Sequence, residues 1–354
     1  MATHLQAIHP DMMWEFGRAV KGPGHRLVIT PESARHLRPL TASILKRAPQ
    51  LAGWEFYGYR LPENVEMTHQ TVKVRTGFDS SEFKVRLQAN EMNRIDVCYF
   101  ASNVADAEDQ DALHGAFVAS ETLLGEELLD KWVGGIEVSP IKKSSGLGSL
   151  FRRGDDEPKH LIPLDRMKET FDAVIRSIHD QLSPEPYFKW IANAQCSVYE
   201  LKPEEAEDYP QQWDLFVGIS AAPQVWTAAH SGGVFYSSRY SRCGEIFCYL
   251  KIDRSEGLEN SKFADRSEIE DRITGLLTQH GLGCHVGGGT GLRYSYIELA
   301  LTDLPRGIQA VRQVLQAVQI PIRSWILFDD SDLVAEWVGI YDDSPPPPMP
   351  NFDA

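Results

Sequence analysis

GEIFCYLKIDRSEGLENSKFADRSEIEDRITGLLTQHGLGCHVGGGTGLRYSYIELALTDLPRGIQAVRQVLQAVQIPIRSWILFD (residues 244–329) sets two helical periods between three runs of strand composition. GEIFCYLKID (244–253) is rich in β-branched and aromatic residues and predicts a strand. Asp265, with Glu268 three residues on, has the form of a capping box. Ile269, Ile273, Leu276 and Leu277 then fall on one helical face, and Gly281 stands where a helix end favours a left-handed glycine. RYSYIELAL (293–301) is the next strand. Asp303 and Pro305 open a second helix carrying Ile308, Val311, Leu315 and Val318, which Pro321 halts. IRSWILFD (322–329) and VAEWVGIY (334–341) are the last strands. The order β-α-β-α-β predicts a ferredoxin-like layer of helices on a sheet, over about 244–341.

Upstream, WDLFVGIS (213–220) reads as a strand, after a loop with the acidic run EEAED (204–208). A helix from Asp165 to Leu182 carries Met167, Phe171, Val174, Ile175, Ile178 and Leu182 at helical spacing. Towards the N-terminus, MMWEFG (12–17), HRLVIT (25–30), WEFYGYR (54–60), TVKVRT (71–76), FKVRLQ (83–88), RIDVCYFA (94–101) and VGGIEVS (133–139) predict strands. Helices follow Thr30–Pro31 and cover about 109–131, and Pro39 is expected to kink or split the first. The fold class is α+β: a mixed or antiparallel N-terminal sheet with packed helices, then the ferredoxin-like domain. The expected boundaries are a domain over 1–141, a Gly-, Ser- and charge-rich linker over 142–160, a domain over 161–343, and a Pro-rich tail over 344–354. SPPPPMP (344–350) favours polyproline II, read as a disordered end that could also dock on a proline-reading domain.

The apolar fraction of 42% and charged fraction of 24% are those of a globular chain, which excludes whole-chain disorder. The net charge of −15 is lopsided: residues 1–150 hold 16 Lys and Arg against 19 Asp and Glu, residues 151–354 hold 19 against 31. Such a surface repels phosphate backbones, so nucleic acid is an unfavoured partner, and it suits a basic protein or serves solubility. Nowhere do 18 apolar residues run together, so no membrane span is expected. The N-terminus lacks secretory-signal form and the five cysteines are odd in number and irregularly spaced; both predict a cytoplasmic chain.

GLGCHVGGGTG (281–291) is the most suggestive motif. Its amides, at Gly287, Gly288, Gly289 and Gly291, could cradle an anion beside Arg293. The loop follows a helix and precedes a strand, the reverse of a dinucleotide cradle, so a plain connection is the favoured reading. His280, Cys284 and His285 lack a second ligand pair at zinc spacing, so no metal is assigned. Ser220 in GISAA (218–222) lacks the glycine of a nucleophile elbow. Glu126, Glu127 and Asp130 read as a solvated helix end. The tryptophans read mostly as packing residues. Trp226 and His230, four apart in APQVWTAAHSGG (222–233), mark the candidate functional loop.

The words HPDMMWEFG (9–17), LVITPE (27–32), LRPL (37–40), RAPQLAGWEFYGYR (47–60) and LLGEELLDKWVGGIEV (123–138) resemble an uncharacterised bacterial domain family. The resemblance covers the first part only and implies no catalytic residue.

With no catalytic constellation and no cofactor signature, the leading expectation is a non-enzymatic module that binds another protein, an immunity or antitoxin-like role being one version. The alternatives are a sensor or enzyme for a small anionic ligand at 281–293, and a structural homo-oligomeric subunit. Oligomeric state is not readable.

Overall fold

The computed structural model describes residues 2–141, 160–203, 206–255 and 266–352. The expected linker, apart from His160, and Asp265 of the expected capping box lie outside them. The chain divides into two compact units: Met1–Ala34 with Leu40–Ile178, and Arg35–Pro39 with His179–Ala354.

The first unit runs α1 (Ala2–Gln6), β1 (Met13–Arg18), β2 (His25–Thr30), α2 (Arg38–Lys46), β3 (Trp54–Tyr57), α3 (Val65–Thr76), β4 (Lys84–Ala89), β5 (Ile95–Ala101), α4 (Gln110–Leu124), α5 (Glu126–Trp132), β6 (Val133–Pro140), β7 (Ile162–Pro163) and then α6 (Met167–Gln181). Instead of one sheet there are two, of order β1-β2-β3 and β6-β5-β4-β7, each with one parallel pair. Pro39 sits in the first turn of α2, where its missing N–H leaves no bond unmade. Ala112, Ala116, Ala119 and Leu123 recur at helical spacing along α4 and share a core with Val97, Tyr99 and Ala101 of β5.

Three expectations fail here. TVKVRT, read as a strand from its alternation, is the end of α3. Asn64 caps that helix by accepting from the Met67 amide, Gly77 stops it, and Thr68 and Val72, four apart, are its buried positions. The helix expected over 109–131 breaks at Gly125, whose φ of +77° suits glycine and where a Cβ would lie 2.9 Å from Pro62. Glu126 is not a solvated end: it is 3% exposed and accepts from the Thr30 hydroxyl and the Arg60 amide, whereas Glu127 does face solvent and pairs with Lys131. The division between units also falls later than the sequence suggests. β7 pairs with β4, and Met167, Phe171 and Ile178 of α6 fill the first unit's core.

The second unit contains α7 (Tyr187–Trp190), β8 (Ser197–Glu200), β9 (Leu215–Ser220), α8 (Pro223–Ala229), β10 (Ile246–Asp253), α9 (Arg266–Gln279), β11 (Gly283–Gly291), β12 (Tyr294–Leu301), α10 (Leu304–Ala317), β13 (Ser324–Phe328) and β14 (Trp337–Gly339). Its seven strands pair antiparallel throughout, in the order β14-β13-β10-β12-β11-β9-β8. The elements β10-α9-β11-β12-α10-β13 therefore form a β-α-β-β-α-β run with four adjacent strands. The sequence reading missed β11. Alternation puts Cys248, Leu250, Ile252, Ile297, Leu299 and Ile326 on one face, where they pack with Ile273, Leu277, Val311 and Leu315 of α9 and α10. Each such fully buried aliphatic side chain contributes roughly 1.5–3 kcal/mol of transfer free energy. Among the described residues no helix is long and apolar enough to cross a membrane.

The tail is not a loose end. Ser344 donates to the Ile322 carbonyl, Pro345 accepts from the Trp325 indole, and Met349 packs against the opposite sheet face.

Candidate functional site

The sheet face opposite α9 and α10 carries an unusual load of polar groups. Strand register arranges them in rows. Asp253, Tyr294 and Arg323 lie at one end; Trp325, Lys251 and Tyr296 form the next row; Leu327, Tyr249 and Glu298 the next; Asp329, Phe247 and Ala300 the last.

The first rows are committed to one another and to the 208–214 segment. Asp214 accepts from the amides of Arg293 (2.8 Å) and Tyr294 (2.9 Å) and from the Tyr296 hydroxyl. Arg323 reaches Asp253 at 2.9 Å and Asp208 at 2.8 Å, and Arg293 reaches the same two carboxylates at 3.2 and 3.4 Å. Against the opposing pull of burial, Asp208 is held below the ordinary aspartate range by the Tyr294 hydroxyl, the Tyr209 amide and the two guanidiniums, and Asp253 by the Ser255 hydroxyl and amide and the same guanidiniums. Lys251 is fully buried, donates to the Tyr209 and Gln211 carbonyls, and lies 4.2 Å from the Tyr294 ring centre. Burial, outweighing the pull of Asp214 and Asp208, brings its amine down to about 7. This half of the face ties the 208–215 segment to the sheet.

The last rows are different. A cleft of about 450 Å³ opens there, lined among others by Gln212, Trp213, His230, Tyr249, Asp329 and Ser331. Asp329 continues β13 through its amide, which donates to the Phe247 carbonyl. Its carboxyl is pushed up to about 7 by burial and by the Asp330 charge, and its partial exposure to the cleft lets water moderate that rise. Glu298 is 7% exposed and is pushed well above the carboxylate range by burial and by Asp329. Burial, and after it the same two carboxyls, raise the phenol of Tyr249, the cross-strand neighbour of Glu298. Among the described residues neither Asp329 nor Glu298 has an ion pair or a side-chain hydrogen bond. Asp330, next in the chain, is instead held by the Ser237 amide and hydroxyl.

His230 also lines the cleft. Its ring stacks on Trp226 (centroids 4.1 Å, 18°), which stacks in turn on Tyr199 (5.1 Å, 13°). Nδ1 lies 2.9 Å from the Trp226 carbonyl and must carry the proton; Nε2, then an acceptor, lies 3.3 Å from Gln212 Oε1, and turning that side-chain amide over presents its NH2 as the donor. Burial lowers its pKa, so the ring is neutral at pH 7 and cannot act as counter-ion to Asp329. The pair flagged in the sequence is thus brought together, with His230 in the cleft and Trp226 (2% exposed) behind it.

The glycine motif is placed elsewhere and does other work. Residues 283–291 form strand β11, not a loop, and their main chain is paired with β12 on one side and, from Gly287, with β9 on the other. Amides spent on a ladder form no nest, which corrects the anion-cradle reading. The glycines instead permit close packing. A Cβ on Gly289 would lie 2.3 Å from Leu215, one on Gly291 2.2 Å from Asp214, and one on Gly218 of β9 2.2 Å from the Trp226 ring. Cys284 and His285 are neighbours on opposite strand faces: Cys284 is buried with Val286 and Ala300, and His285 lies 3.9 Å from Glu270 of α9. Ser220 donates to the Val286 carbonyl and accepts from the Ala222 amide, a strand-end role.

Asp329, Glu298 and Tyr249 had no sequence signal of their own, because they meet only through strand order. The arrangement offers a carboxyl that exchanges its proton near neutrality, beside aromatic walls and neutral hydrogen-bonding groups. No family model, no curated protein and no solved structure matches the chain.

Proposed function

We propose that the second unit is a ligand-binding domain on a ferredoxin-like core, and that its cleft takes a small organic cation, an amine or amidinium borne on a flat apolar body. The β-α-β-β-α-β order supports the core assignment. The observation that carries the ligand reading is the Asp329 carboxyl lining the cleft without a counter-charge among the described residues. Asp329 raises Glu298, so the two carboxyls cannot both ionise cheaply, and an entering cation removes that obstacle. Trp213, 45% exposed at the cleft, supplies a face for cation–π and stacking contact. Lys202 also lines the cleft, so the cation must enter away from it.

Titration calorimetry with benzamidine against its neutral analogue benzamide tests this reading. Benzamidine is expected to bind at least tenfold more tightly, to release a proton below pH 7, and to lose its advantage in Asp329→Asn. Equal binding of the two compounds, or none, would sink the proposal.

A second reading, docking of another protein by the first unit, is favoured by an exposed aromatic stripe. Phe16 (52% exposed) stands 5.1 Å from Trp14 and 5.8 Å from Trp54, ring to ring, and His25 5.3 Å from Trp54. A co-purifying protein that survives Phe16→Asp unchanged would remove the stripe from consideration.

A further inference from the structure

About 13 Å along β13 from Asp329, by the rise of a strand, the same sheet face is already occupied by the chain itself. The occupant is SPPPPMPNF (344–352), and it lies outside any helix or strand. Its start is firmly held. The Ser344 hydroxyl donates to the Ile322 carbonyl and accepts from the Tyr341 amide, while Arg312 and Gln316 of α10 grip the Ile340 carbonyl. Beyond Ser344 the contacts change character. The Trp325 indole N–H donates to the Pro345 carbonyl at 2.6 Å. Pro347 is buried while Pro346 is exposed, so one side of the segment faces in. Met349 packs on the cluster of Tyr294, Tyr296 and Trp325, and the Phe352 ring stacks on His36 at 5.7 Å.

An aromatic floor with an indole donor under a proline-rich main chain is the chemistry by which extended proline-rich segments are read. Five of the residues from 345 to 350 are prolines and have no amide hydrogen to leave unsatisfied on departure. The cost of departure falls on the sheet instead. Trp325 is 0% exposed, and its indole can only donate. Withdrawing the tail strands that donor and uncovers the tyrosine and tryptophan faces, so a replacement must bring a carbonyl set in an apolar, extended segment. We propose that this face is a docking site for a proline-rich segment of a partner protein, and that residues 345–352 are its resident occupant, exchanged at a hinge after Ser344. Pro345 and Pro348, and again Pro347 and Pro350, have the three-residue spacing such a segment presents to one side. The inference is independent of the cleft, since no step of it uses Asp329 or Glu298.

The test measures fluorescence anisotropy of a labelled peptide, PPPPMPNF, added to the full chain and to a chain ending at Ser344. The shortened chain is expected to bind the peptide at least tenfold more tightly than the full chain, whose site is filled. A peptide with glycine in place of Pro345 and Pro347 is expected to bind at least tenfold more weakly than the original. The proposal is overturned if a shortened chain of unchanged circular dichroism binds no peptide, or binds the glycine peptide equally well. Loss of folding on shortening would also overturn it, because a segment the core requires cannot be surrendered to a partner.

Discussion

Replacing Asp329 by Asn removes a titrating group and keeps its shape, and the effect on stability should depend on pH in a fixed sense. Asp329 rises from 3.8 to about 7 in the folded chain, a displacement of about three units. At 1.36 kcal/mol per unit the ceiling is ~4 kcal/mol. Part of the carboxyl faces water in the cleft, and screening there halves the figure to ~2 kcal/mol. The sign follows from proton counts. Between pH 4 and 7 the folded chain holds a proton that the unfolded chain has released, so its stability falls as pH rises through that window. Below pH 4 both forms are protonated, and acid and amide should be nearly equivalent. At pH 8 the wild-type must hold a buried carboxylate that the Asn variant lacks, so the variant should be more stable by ~2 kcal/mol. Burial, the larger cause of the rise at Glu298, is untouched in the variant.

Because the two units need not unfold together, the readout is hydrogen exchange at the β10 and β12 amides, which reports the second unit alone. Wild type and variant are compared at pH 4.5, 6 and 8. A difference that stays constant across this range would refute the assigned environment of Asp329. So would a variant less stable at pH 8, which would mean that the carboxylate has a partner the geometry does not show.

Gly289→Ala should destabilise the second unit by ~1–3 kcal/mol, because the new Cβ meets both Leu215 and the Val217 carbonyl, and thermal unfolding would show the drop. Asp214→Asn deprives three donors of a charged acceptor and should cost ~3 kcal/mol in urea unfolding; a loss under ~1 kcal/mol would show that the network relaxes around an amide. Lys251, at about 7 when folded, binds fewer protons than in the unfolded chain between pH 7 and 10. Stability should therefore climb with pH over that range, and Lys251→Met should flatten the slope.

What the sequence made legible follows from where each pattern has its cause. Strands β2, β5 and β12 and helices α9 and α10 are written locally, in one-sided apolar periods between capping and stopping residues, and they emerged near their expected places. α3 is equally local, but TVKVRT alternates as well as it spirals. Only Asn64 before it and Gly77 after it separate the readings. β11 is not local at all. GCHVGGGTG has little strand propensity, and it is extended because Leu215, Asp214 and the backbone of β9 lie where side chains would stand. The glycines that suggested an open loop mark a strand that its neighbours approach closely.

The site divides the same way. Trp226 and His230, expected on a loop, instead stand on α8 and at its C-terminal end, and only that helix turns their four-residue spacing into a stack. Asp329 and Glu298 lie 31 residues apart in the sequence and carry no motif. They are brought near each other because β10 lies between β12 and β13, and because alternation turns both towards the face that α9 and α10 do not cover. A carboxyl on a strand of mostly apolar residues, as in YSYIELAL, is the trace such a site leaves in a sequence. It acquires meaning only when the sheet order supplies its neighbour, and the pH dependence of Asp329→Asn measures whether the sheet has done so.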